Sequence, residues 1–146
     1  TQVDDYFEVN LYYNKLKATL KASVFVKEQG PRYILHGTKG SFVKYGIDPQ
    51  EEWLKDGLMP GSELWGRDDQ DHYGVLNAEM NGQQFIGNIV TEPGNYMGFY
   101  DNVYDVIVKG AEQSVQPEEA RNVIRIIELA FQSHKEGRII PVYMVN

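Results

Sequence analysis

The stretch His36–Trp53, HGTKGSFVKYGIDPQEEW, decides how the rest of the chain is read. Three glycines and two lysines fall between His36 and Gly46, the composition of a phosphate loop or of a turn between strands. A phosphate loop needs G-x-x-x-x-G-K-[ST] between a strand and a helix. Here Gly37 and Gly40 stand three apart, Lys39 precedes the second glycine, and SFVKY then alternates as a strand does. The stretch therefore reads as a hairpin of YILHG and SFVKYG, with Gly37 or Gly40 supplying the positive φ of a tight turn. A helical turn follows in DPQEEWLKDG. Asp48 caps it, Pro49 takes the first helical position, Glu51 is the capping-box acid, and Gly57 stops it.

Towards the N-terminus the pattern stays β. Phe7, Val9, Leu11 and Tyr13 alternate with Tyr6, Glu8, Asn10 and Tyr12. After a turn at Asn14-Lys15, Leu16, Ala18, Leu20, Ala22, Val24 and Val26 form one face of a second strand. Lys17, Thr19, Lys21, Ser23 and Phe25 form the other. Towards the C-terminus, Asn81-Gly82 between GVLNAEM and QFIGNIVTE is the strongest hairpin signal in the chain.

Beyond it the period changes to helical. Tyr96, Phe99, Tyr100, Val103, Tyr104 and Ile107 share one helix face, ended by Gly110. A longer helix opens at Gln116-Pro117 and carries Ala120, Val123, Ile124, Ile127, Ala130 and Phe131 as its stripe. RIIPVYMV closes the chain as a strand or extended tail. Strands first and helices last indicate α+β: an open, mainly antiparallel sheet with helices packed on one face.

Composition narrows the function classes. The chain has 146 residues, enough for one domain with a core. It lacks cysteine, which excludes disulfides, thiolate metal sites and cysteine nucleophiles and suits a cytoplasmic location. A net charge of −7 without a basic run argues against nucleic acid. No apolar run is long enough to cross a membrane as a helix. Ten tyrosines suit half-buried surfaces and interfaces.

Catalytic chemistry is not evident in the residues themselves. RDDQDHYG gathers Asp68, Asp69, Asp71 and His72, but read as a calcium loop it places Tyr73 and Met80 at ligand positions. A solvated acidic loop is the better reading, and no metal is expected. His36, His72 and His134 lack zinc-helix spacing, and no serine lies in a G-x-S-x-G context.

Three segments together resemble one family. RYILHGTKGSFVKYGIDPQEEWLKDG, EPGNYMGFYDNVYDVI and ARNVIRIIELAFQSHKEGRII are similar, in this order, to the C-terminal domain of Gfo/Idh/MocA oxidoreductases, in the sugar and polyol branch. The resemblance implies that residues 1–146 are a C-terminal α+β domain of a longer parent. That parent's N-terminal Rossmann domain would bind NAD or NADP and carry the catalytic lysine of an E-K-P motif. Neither E-K-P nor a fitting D-x-x-x-H occurs here, so no catalytic or cofactor-binding residue is assigned, and the chain alone is expected to be inactive. The domain would instead close a sugar or polyol site, with Asn95 and Tyr96 as candidate substrate contacts. It would pair subunits as a homodimer or higher oligomer through the sheet face bearing Tyr6, Tyr12 and Phe25. A free-standing α+β binding or interaction domain is the alternative.

Overall fold

The computed structural model describes residues 3–143. Its elements follow in order as β1 (Tyr6–Tyr12), β2 (Lys17–Ser23), β3 (Tyr33–Gly37), β4 (Gly40–Lys44), α1 (Gln50–Lys55), β5 (Gly74–Met80), β6 (Gln83–Ile89), α2 (Met97–Tyr104) and α3 (Pro117–Glu136). A short 3-10 turn spans Gln70–His72, and a π-helical turn, Asp105–Lys109, continues α2. The chain divides into two compact units, Thr1–Lys27 with Ala111–Asn146, and Glu28–Gly110.

In the first unit β1 and β2 form an antiparallel ribbon with the register that the alternation predicts. Phe7 faces Ala22, Val9 faces Leu20 and Leu11 faces Ala18. On the other side Glu8 bonds Lys21 at 2.9 Å, and Asn10 accepts from Thr19 at 2.8 Å. The connection is the two-residue turn expected: Tyr13 N–H donates to Leu16 O at 2.8 Å, so this pair closes the ladder and Asn14 and Lys15 make the bend. Strand β2 ends at Ser23, whose hydroxyl accepts from Phe25 N–H, and Phe25 therefore lies beyond the ladder rather than on its face.

Helix α3 begins as its residues dictate. Pro117 takes the first position, and Glu119 Oε2 accepts from Gln116 N–H at 2.8 Å, closing the capping box. Gly137 ends it at φ 64°, the left-handed conformation a helix C-cap needs. The expected stripe is corrected here. Leu129, Ile126 and Ala130 lose most solvent contact, while Val123, Ile124, Ile127 and Phe131 stay exposed. Periodicity identifies an apolar face, but what covers that face is decided elsewhere. Residues 139–143 form no strand, and the rest of the expected closing segment lies outside the described residues.

The second unit holds the four-stranded antiparallel sheet, ordered β3-β4-β5-β6. Asn81 and Gly82 both take positive φ, 53° and 75°, as the hairpin between β5 and β6 requires. The β3–β4 turn works differently from expectation. Neither Gly37 nor Gly40 has positive φ. Gly40 is needed for close approach, since a Cβ there would sit 2.7 Å from the Ala78 Cβ of β5. The register places Phe42 opposite Leu76, which itself faces Gly87, and this is the better-covered face of the sheet. Helix α2 and its π turn end at Gly110, φ 68°. Their expected apolar stripe is exposed as well: Phe99, Tyr100, Val103, Tyr104 and Ile107 all face solvent within this chain.

Candidate functional site

The most constrained chemistry lies within the second unit and starts from β4. Period-2 alternation puts Lys44 on the same strand face as Phe42, the covered one. A cation there needs an anion, because a buried unpaired charge is costly. Asp68 supplies it: Lys44 Nζ donates to Asp68 Oδ2 at 2.6 Å and to His72 O at 2.7 Å, and the two side chains are 8% and 0% exposed. One ammonium thereby holds the loop between α1 and β5 at two points. Asp68 Oδ1 is buried without a hydrogen-bond partner.

A second fixed point follows six residues on. Gln50, at the start of α1, is fully buried. Its Oε1 accepts from Trp65 Nε1–H at 3.0 Å and from Tyr96 N–H at 2.9 Å. Its Nε2 donates to Asp48 Oδ1 at 2.9 Å, and the same oxygen accepts from Gln50 N–H at 3.0 Å, which is the capping role read for Asp48. The Trp53 and Trp65 rings lie 5.3 Å apart, tilted at 57°. Gly94 N–H donates to Gly66 O at 3.0 Å. These contacts converge on the segment Glu92–Tyr96, which enters α2.

Asn95 and Tyr96 sit at this entry, both with exposed side chains. Asn95 Oδ1 accepts from Gly98 N–H at 3.0 Å, so one end of its amide caps the helix. The Tyr96 N–H is taken by Gln50. What the pair can offer a ligand is therefore the Asn95 Nδ2 and the Tyr96 hydroxyl, and not the Tyr96 N–H.

Tyr6 and Tyr12 lie on β1, 57% and 63% exposed, the latter beneath the Lys17 ammonium. In the acidic loop Asp68 turns inward to Lys44, while Asp69, Asp71 and His72 are exposed. No group of three His, Asp or Glu side chains converges on a metal position among the described residues. His36 Nδ1 and Ser41 Oγ lie 2.9 Å apart across β3 and β4. A dinucleotide does not fit the His36–Gly46 stretch. Its turn leads into β4 rather than into a helix, and Lys39 O already accepts from Glu79 N–H at 2.7 Å.

Sequence reasoning missed Lys44, Gln50 and Asp68. Lys44 was signalled by the strand period. Nothing local marks Gln50 as buried, since its partners lie 15 and 46 residues away.

Comparison with known proteins sets this geometry in context. The chain is 42% identical over 136 residues to scyllo-inositol 2-dehydrogenase (NADP(+)) IolW of Bacillus subtilis, covering 93% of this chain and 38% of the relative. It is 37% identical to the uncharacterized oxidoreductase YdgJ of Escherichia coli, covering 92% and 38%. Among solved structures, the yvaA protein of Bacillus subtilis superposes with a TM-score of 0.90 at 41% identity, covering 95% of this chain and 40% of that one. An oxidoreductase from Bacillus cereus gives 0.80 at 42%, covering 99% and 42%. The chain thus spans about two fifths of the length of the relatives it matches. Residues 1–144 match the oxidoreductase family, C-terminal alpha/beta domain, and the chain belongs to that Gfo/Idh/MocA family.

Proposed function

We propose that this chain is the substrate-side and subunit-pairing part of a nicotinamide-dependent oxidoreductase that acts on a sugar or polyol in the cytoplasm. The observation that carries the reading is the held entry of α2. Gln50 fixes Tyr96 from beneath, while the Tyr96 ring and the Asn95 side chain remain exposed. An amide donor beside a phenol hydroxyl suits a ligand made of closely spaced hydroxyls. The 42% identity to a scyllo-inositol dehydrogenase supports the same ligand class.

The division of labour follows from chemistry. Hydride transfer needs the nicotinamide held against the substrate, and the His36–Gly46 turn does not fit a dinucleotide, so another part of the protein supplies it. These residues bind the polyol, orient it and keep water off one side of it. Such contacts act on substrate binding more than on bond breaking.

Steady-state kinetics of the full-length protein with scyllo-inositol and NADP+ test the reading. Asn95→Ala and Tyr96→Phe should each raise KM about three- to thirtyfold with little change in kcat. Wild-type KM in both variants would overturn it. The 146-residue chain alone should show no NAD(P)-dependent turnover.

A further inference from the structure

Gln50 has the largest fully buried side chain among the described residues, and it is polar. Both donors to its Oε1, an indole N–H and a backbone N–H, can only donate. The group facing its other end is the Asp48 carboxylate. The orientation of the amide is therefore dictated by its partners rather than chosen. A buried amide with every neighbour matched is costly to replace, because each lost partner strands a polar group.

The approach of the Glu92–Tyr96 segment is equally specific. A Cβ at Gly94 would collide with Gln50 Nε2 and lie 2.6 Å from the Asp48 carboxyl carbon. The backbone can come this close only because residue 94 is glycine. On its other side Gly94 N–H is bonded to Gly66 O, in a loop whose Trp65 is also held by Gln50. One side-chain amide thus ties the start of α1, the Trp65 loop and the entry of α2.

We infer that Gln50 is a positioning residue. It sets the place of the Gly94–Gly98 segment and, through the Tyr96 N–H, the direction in which Asn95 and Tyr96 present their polar groups. This rests on the proposed reading that those two side chains meet the polyol. Gln50 itself touches no ligand. A misplacement of about 1 Å at the α2 entry is enough to weaken a multi-point hydroxyl contact.

Two variants of the full-length protein separate the outcomes. Gln50→Met keeps the volume and removes both acceptor and donor. Gln50→Glu keeps the acceptor for Tyr96 N–H and opposes the Asp48 carboxylate. Hydrogen–deuterium exchange needs no substrate. It should accelerate over residues 94–98 by about tenfold or more in Gln50→Met while β3 to β6 keep wild-type rates. Gln50→Glu should show a smaller acceleration. With scyllo-inositol and NADP+, KM should rise about tenfold in Gln50→Met with kcat within about twofold. Unchanged exchange over 94–98 overturns the inference. So does acceleration shared equally by β3 to β6 with a lowered kcat and wild-type KM, the signature of a merely structural residue. If exchange responds locally while Asn95→Ala and Tyr96→Phe leave KM untouched, the substrate-side reading fails instead, and with it the link from Gln50 to the ligand.

Discussion

Lys44 Nζ and Asp68 Oδ2 meet at 2.6 Å in a place where neither side chain has appreciable contact with solvent. The pair joins β4 to the loop that carries the 3-10 turn Gln70–His72, and the His72 carbonyl takes a second bond from the same ammonium. Removing one partner leaves the other charge buried and alone. Lys44→Met should therefore cost about 3–5 kcal/mol in urea unfolding of the full-length protein. The double variant Lys44→Met with Asp68→Leu should recover a large part of that loss. A double variant as unstable as the sum of the singles would show that the two charges are not coupled.

Gly66 and Gly94 should be intolerant of a methyl group for different reasons. Gly66 has φ +75°, and its Cβ would collide with the Gly94 carbonyl oxygen. Gly66→Ala should cost about 2–4 kcal/mol, combining left-handed strain with a clash. Gly94→Ala should cost about 1–3 kcal/mol by displacing Gln50. Gly46 is the control, with φ +66° and open space around it; its Ala variant should lose about 1 kcal/mol. Equal losses at the three positions in thermal unfolding would contradict the close approach of the two loops.

The ribbon of β1 and β2 carries a pH-dependent pair. The hydrogen bond from Lys21, then that from Asn10, holds the Glu8 carboxyl below the usual glutamate range, and Glu8 in turn raises Lys21. For Glu8 the favourable contribution is present above its ordinary pKa and fades as pH falls through the lowered one. For Lys21 it is present below the ordinary lysine pKa and fades as pH rises through the raised one. Both groups are exposed, so the effect on stability is small. Carbon-detected NMR titration should show the Glu8 midpoint rising in Lys21→Met. It should stop short of the ordinary value while Asn10 still donates. In wild type about 1 M salt, with a screening length near 3 Å, should reduce the shift.

Subunit pairing through the β1 face predicts a change in assembly without a loss of fold. Tyr6→Ser with Tyr12→Ser should shift the full-length protein towards monomer in sedimentation at about ten micromolar, since aromatic anchors dominate such contacts. Ile124→Asp with Phe131→Asp on α3 provides the contrast. Dissociation by the α3 pair but not by the tyrosine pair would move the interface to the exposed helix stripe.

Much of the fold was legible because its signals are local. The Asn81-Gly82 turn, the Phe7–Leu11 alternation and the Gln116-Pro117 helix start each depend on a few adjacent residues. Three readings failed where long-range contact decides. Gly40 looked like a turn residue and is instead a contact point for Ala78. Val123, Ile124, Ile127 and Phe131 looked buried because an apolar stripe does not carry the identity of its cover. Asn95 was placed at the right helix entry, yet the amide that holds this entry comes from Gln50, at a distance along the chain that no local pattern spans.

The π turn at Asp105–Lys109 makes the length of this helix as consequential as its composition. Such a turn accommodates one residue more than an α-turn of the same rise. Deleting any one residue there would let the helix close in the α register, and each residue of an α-helix turns the chain by about 100°. The face that Phe99 and Val103 share would then run on to Gly110 without the extra residue. A single-codon deletion within 105–109 thus removes one side chain and the irregularity together, and leaves the helix before it in phase.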